Sequence, residues 1–112
     1  MKIYHNPRCS KSRQTLALIE EAGADVEVVE YLKNPLSQDD IKSLLDKLGK
    51  KPQEIIRKGE KIYKENYKGK EMNDQDWILA MAEHPILIER PIVEKGSKAV
   101  LGRPPENVKE LL

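Results

Sequence analysis

Cys9 is the only cysteine of the chain, and it stands in the run His5-Asn6-Pro7-Arg8-Cys9-Ser10-Lys11-Ser12-Arg13. Thiol chemistry proceeds through the thiolate, so what matters is what this run does to the thiol pKa. The segment joins a short apolar stretch to a helical one. That sets the sulfur beside the unpaired backbone N–H groups of a helix N-terminus, where the dipole carries partial positive charge. Arg8, Lys11 and Arg13 add fixed charge. His5 adds an imidazole, which either stabilises the thiolate as an imidazolium or only hydrogen-bonds the loop. Such settings lower a thiol pKa from about 8.5 to roughly 3.5–7.5, so Cys9 is expected to be a thiolate at neutral pH. Unpaired cysteines often pack as small core hydrophobes, but this many basic neighbours would be a poor environment for one. Ser12 occupies the position of the second cysteine in a Cys-x-x-Cys dithiol. The site therefore has no local resolving thiol, and turnover would need one from elsewhere.

The elements that must hold this loop follow from the pattern around it. Ile3 and Tyr4 in Lys2–His5, and Val26, Val28, Val29 and Tyr31 in Asp25–Leu32, mark two strands. Between them a helix is expected from about Ser10 to Ala22, with Leu16, Ile19 and Ala22 at helical intervals and Gly23 as a left-handed stop. The short connections suggest a right-handed parallel crossover. Beyond Asn34-Pro35, Ser37 and Asp40 form a capping pattern ahead of Ile41, Leu44, Leu45 and Leu48, and Gly49 ends that helix. Pro52 to Ile56 begins a short helix, and Lys58 to Lys70 reads as loop or frayed helix. Asn73 and Asp76 repeat the capping pattern before Trp77, Ile78 and Met81, in a helix that stops before His84-Pro85. His84 is assigned a capping role there. Ile92-Val93, a Lys95-Gly96 turn and Ala99–Leu101 form a hairpin pattern, and Pro104-Pro105-Glu106 opens a last helix with Val108, Leu111 and Leu112 on one face. The order βαβ, helical block, ββα gives an α/β chain with a mixed four-stranded sheet flanked by helices.

The chain has 112 residues, the size of one domain, and 38% of them are hydrophobic against 35% charged. Its 20 Lys and Arg and 19 Asp and Glu leave a net charge of +1, which offers no global field to a nucleic acid or an anionic membrane. The basic run Lys58, Lys61, Lys64, Lys68 and Lys70 is interleaved with Glu60, Glu65 and Glu71 and is expected to be a solvated face. Neither a secretory signal nor an apolar run of membrane-spanning length is present, so a cytoplasmic protein is expected. A lone cysteine forms neither an internal disulfide nor a metal cluster.

Three stretches carry a family resemblance. Tyr4-His5-Asn6-Pro7, then Cys9, then Ser12-Arg13, resembles the active-site loop of the glutathione- and glutaredoxin-dependent arsenate reductases. The run from His84-Pro85 through Glu89-Arg90-Pro91 to Val93 resembles the family's second signature, and Gly102-Arg103-Pro104 its third. The resemblance implies one thioredoxin-like (glutaredoxin-like) domain over 1–112, with a helical insertion at about 35–88. It implies that Cys9, Ser12 and His5 are catalytic, and that Arg57, Arg90 and Arg103 gather around the cysteine to bind substrate. Planar guanidinium forks suit a tetrahedral oxyanion better than lysine does. Pro91 matches a cis proline facing the cysteine. The implied activity is reduction of arsenate, or a related oxyanion, to arsenite through the Cys9 thiolate. Glutathione would be co-substrate and glutaredoxin the partner, with no bound cofactor and no metal. A monomer is expected.

The family also resembles a group of thioredoxin-fold transcriptional regulators that bind RNA polymerase. The alternative is therefore a regulatory or adaptor protein without arsenate turnover. Those regulators typically carry Cys-x-x-Cys, and Cys9-Ser10-Lys11-Ser12 argues against a disulfide switch here. A third reading, a general monothiol oxidoreductase acting on glutathione mixed disulfides, would leave the three arginines unnecessary.

Overall fold

In a computed structural model that describes residues 1–112, strand β1 (Lys2–His5) lies inside a four-stranded sheet of order β2-β1-β3-β4. Its neighbours are the parallel β2 (Glu27–Glu30) and the antiparallel β3 (Ile92–Lys95), which pairs in turn with β4 (Lys98–Leu101). The register sets Ile3 between Val28 and Val93, and Tyr4 between Val29 and Ile92. Helix α1 (Ser10–Glu21) makes the crossover from β1 to β2, which gives the mixed sheet expected from the element order. Strand β2 is shorter than its apolar run suggests. The amides of Lys33 and Asn34 fold back onto the Glu30 carbonyl at 3.0 Å, so the chain turns at Tyr31 instead of extending to Leu32. At the β3–β4 hairpin Gly96 has φ +61°, and no non-glycine residue of the chain has a positive φ. A positive φ at the first of two loop residues alone is the type II′ pattern.

The chain divides into two units, Met1–Asn34 with Arg90–Leu112, and Pro35–Glu89. The first has its core at Ile3, Ile19, Val93, Val108 and Leu111, so sheet, α1 and the C-terminal segment share one apolar centre. That segment, Pro105–Leu111, is a 3₁₀-helix, where the sequence pattern suggested an ordinary last helix. Pro105, Val108 and Leu111 are its buried residues, and spacing by three puts them on one edge of a helix with three residues per turn. Leu112, expected on the same face, falls outside that spacing and is 46% exposed.

The second unit contains α2 (Gln38–Leu48), a 3₁₀ turn at Pro52–Ile55, α3 (Lys61–Asn66), α4 (Asp74–Glu83) and a 3₁₀ turn at Pro85–Leu87. Both capping boxes form: Ser37 with Asp40 starts α2 and Asn73 with Asp76 starts α4. Gly49 closes α2 at φ +67°. Part of the lysine-rich stretch is helical after all, because α3 presents Tyr63 and its following Tyr67 to Trp77 of α4, with ring centroids 6.2 and 6.0 Å apart. His84 ends α4 as its C-cap, donating its amide to the Ala80 carbonyl at 2.8 Å, and its ring meets Tyr67 edge-on.

Candidate active site

Cys9 occupies the N-cap position of α1 in extended backbone, at φ −93° and ψ 123°. The preceding turn closes through the Cys9 amide, which donates to the Asn6 carbonyl at 3.0 Å, and through the Arg8 amide, which donates to Asn6 Oδ1 at 3.0 Å. Asn6 thus folds the loop from within and delivers the sulfur to the first turn of the helix. Partial burial would by itself raise the thiol pKa. It is outweighed by the backbone N–H of Ser12, the Arg90 side chain, the backbone N–H of Lys11 and the Arg103 side chain, and the net direction is down. These donors all favour the charged sulfur.

Arg103 reaches the site from the end of β4. Its Nη1 lies 3.9 Å from Cys9 Sγ and donates to the Arg90 carbonyl at 3.0 Å, so one guanidinium touches the sulfur and braces the other arginine's backbone. Arg90 itself is 8% exposed, unusually low for an arginine. Its peptide bond to Pro91 is cis, and so is Arg103-Pro104. Pro91 is held by Gly102, whose amide donates to the Pro91 carbonyl at 2.8 Å. A Cβ on Gly102 would stand 2.7 Å from Thr15 Oγ1 and 2.8 Å from Pro91 Cγ, so only glycine lets β4, the Pro91 segment and α1 close to this distance.

His5 and Ser12 are both buried, and His5 Nδ1 shares a 2.6 Å hydrogen bond with Ser12 Oγ. The same oxygen accepts from the Asn6 amide at 3.1 Å. The Ser12 hydroxyl is therefore committed to the loop, and it is the Ser12 backbone amide that serves the sulfur. Burial lowers the His5 pKa, with the Glu30 charge opposing and Arg13 assisting. Of the two roles open to His5, the neutral loop-binding imidazole fits this environment better than the imidazolium. Arg13 also donates from Nη1 to the Pro7 carbonyl at 2.8 Å, and its charge is spent on the loop backbone.

Cys9, His5, Ser12, Arg90, Pro91 and Arg103 all fall in the unit formed by the two chain ends. Arg57 falls in the other, where its Nε is 3.3 Å from Glu60 Oε1 and its Nη1 is 3.5 Å from Glu89 Oε2. One residue of the first unit, Thr15, carries no sequence signal of its own, and Gly102, named above only as part of the third signature, packs against it. Thr15 is fully buried, donating to the Lys11 carbonyl at 2.8 Å. What it shares with Ser12 and Ile19 is their spacing on α1, a buried stripe that is mostly polar and so escapes a search for apolar periodicity. Nowhere do three or more His, Cys, Asp or Glu side chains group as metal ligands, and no helix is long and apolar enough to cross a membrane.

A mixed four-stranded sheet with one cysteine at the head of its first helix and a cis Arg90-Pro91 bond just before β3 defines a thiol protein of the thioredoxin-like class. Within that class the chain belongs to the ArsC family, whose model matches residues 4–111. It is 45% identical over 114 residues to an arsenate reductase of Neisseria meningitidis, covering 100% of this chain and 97% of that one. It is 46% identical to the uncharacterized protein YfgD of Escherichia coli, covering 100% of this chain and 96% of that one. The solved structure of an arsenate reductase from Vibrio cholerae superposes with a TM-score of 0.94 at 46% identity, over 100% of this chain and 98% of that one.

Proposed function

We propose that this protein is a cytoplasmic arsenate reductase of the glutathione- and glutaredoxin-dependent type. The observation that carries the proposal is the Cys9 sulfur with Arg103 Nη1 at 3.9 Å and a thiol pKa pulled down by Arg90, Arg103 and two backbone amides. A nucleophile stabilised by guanidinium groups is also a nucleophile placed where a tetrahedral oxyanion binds. The Cys9 thiolate attacks arsenic(V) and a protonated oxygen leaves as water, giving a sulfur–arsenic bond. Arg90 and Arg103 with the loop amides hold the charge on the remaining oxygens. His5 and Ser12 act on the loop that carries the sulfur.

Cys9 is the sole cysteine, so the adduct must be resolved from outside. Glutathione adds to arsenic as a second thiolate and displaces another water. A glutaredoxin thiolate then attacks the glutathione sulfur. The new S–S bond leaves the arsenic–sulfur electron pair on arsenic, which becomes arsenic(III), and hydrolysis releases arsenite and the Cys9 thiol. The test is arsenite formation by purified protein given arsenate, glutathione and glutaredoxin, beside a Cys9→Ser control. Turnover that vanishes in the control supports the assignment. A folded protein with a reactive thiolate and no arsenite overturns it.

A further inference from the structure

On the β2 side of the active-site loop lies a groove of about 280 Å³ lined by His5, Asn6, Pro7, Arg8, Glu30, Leu32 and Lys33. The arsenate mechanism uses only His5 and Asn6 from this set, both to hold the loop. The groove is near the lower limit of the roughly 300–1,000 Å³ typical of small-ligand sites. Its apolar lining residues are Pro7 and Leu32, the latter 37% exposed. Its charged groups have both signs: Arg8 and Lys33 against Glu30, with Lys33 Nζ 3.5 Å from Glu30 Oε1. An ammonium and a carboxylate held side by side in a groove with apolar lining residues match the head of an amino acid, which offers the opposite pair on one carbon and a methylene chain behind it.

The position adds a chemical requirement. Four of its lining residues, His5, Asn6, Pro7 and Arg8, are the turn that leads into Cys9, so the groove borders the active-site loop. With no second cysteine in the chain, a thiol has to come to that sulfur from solution. We propose that this groove seats the α-amino-acid head of an anionic peptide thiol, its carboxylate on Lys33 and Arg8 and its ammonium on Glu30, with its sulfur directed over Arg8 at Cys9. The inference rests on the thiol-dependent reading above and assigns the recognition of its reductant.

The experiment uses disulfides and no arsenate, so it fails separately from the reductase assignment. In each reaction the Cys9 thiolate attacks one sulfur of a symmetric disulfide. The S–S bond breaks, one half leaves as thiolate, and Cys9 retains the other half in a mixed disulfide whose formation is followed by intact mass. The probes are glutathione disulfide, neutral hydroxyethyl disulfide, and dithiodipropionate, which is anionic but has no ammonium. Charge-assisted pairing predicts that Lys33→Glu slows the glutathione reaction about tenfold and leaves the hydroxyethyl reaction within about twofold. Glu30→Gln separates docking from a general field. Loss of a negative charge speeds every anion drawn by field alone, whereas loss of the ammonium's partner slows glutathione disulfide and not dithiodipropionate. If Glu30→Gln speeds glutathione disulfide, or if Lys33→Glu slows both anionic probes equally, the groove is not a docking site. If wild-type Cys9 reacts with none of the three, the thiol reading itself falls.

Discussion

Replacing Gly102 with alanine tests the packing that joins the Arg90-Pro91 segment and Arg103 to α1. The added Cβ would lie 2.7 Å from Thr15 Oγ1, 2.8 Å from Pro91 Cγ and 3.1 Å from Thr15 Cγ2, all well inside the 3.4 Å at which ordinary contact begins. Neither neighbour can swing away, because Thr15 and Pro91 are both fully buried and the Thr15 hydroxyl is tied to the Lys11 carbonyl. Overpacking of this kind costs about 1–3 kcal/mol. The Gly102 backbone is not in the left-handed region, so alanine recovers about 0.4–1 kcal/mol by restricting the unfolded chain. Taking the centre of each range, the expected net loss is about 1.3 kcal/mol, read as a lowered denaturant midpoint at unchanged slope. Because Arg103 follows directly, the strain also moves its guanidinium from the sulfur, and the pH midpoint of Cys9 alkylation rises. Thr15→Ala opens room for the new methyl on one side only, so the double variant should show a coupling of at least about 0.5 kcal/mol and not full rescue. A Gly102→Ala protein as stable as wild type, or two substitutions that simply add, would refute this account.

Arg103→Ala should lower turnover by about 10²–10³, the cost of deleting one donor to a developing oxyanion, and Arg103→Lys should not restore it because a point charge cannot hold both the sulfur side and the Arg90 carbonyl; steady-state kinetics with an alkylation pH profile checks both. The His5 pKa lies below its ordinary 6.5 in the folded chain. The unfolded chain therefore takes up more protons on acidification, and stability falls as pH drops below 6.5; denaturant titrations across that range should show a flatter profile for His5→Gln. The buried Trp77 Nε1 has no hydrogen-bond partner, so Trp77→Phe removes an unsatisfied donor and should cost much less than Trp77→Ala, for which about 3–5 kcal/mol is expected from thermal or denaturant unfolding.

What could be read from the sequence was whatever depends on neighbours along the chain. The capping boxes at Ser37 and Asn73, the stops at Gly23 and Gly49, and the Gly96 hairpin are decided within a few residues, and each forms. Cys9 at the head of α1 belongs to the same category, since loop and helix start are adjacent. Contacts across long separations were not legible. Nothing local to Thr15 announces Gly102, and nothing local to Tyr63 announces Trp77. Arg103 on the sulfur was reachable only through the family resemblance, being 94 residues away in sequence. The roles of His5 and Ser12 needed the geometry as well, because a shared hydrogen bond and burial decide which group faces the sulfur. The three-residue period of Pro105, Val108 and Leu111 is present in the sequence, but Val108, Leu111 and Leu112 fit one face of the commoner α-helix equally well.

The sheet order leaves β2 with one unpaired edge, and Val28 at its centre is 45% exposed. An exposed valine on a free edge invites a second chain to extend the sheet and so begin aggregation. Strand β2 has only four residues, Glu-Val-Val-Glu. Two copies aligned antiparallel along it would set Glu27 against Glu30 at both ends, and like charges directly opposite are destabilising. The two glutamates thus act as gatekeepers, and neutralising Glu27 alone would be expected to cost the protein part of its solubility.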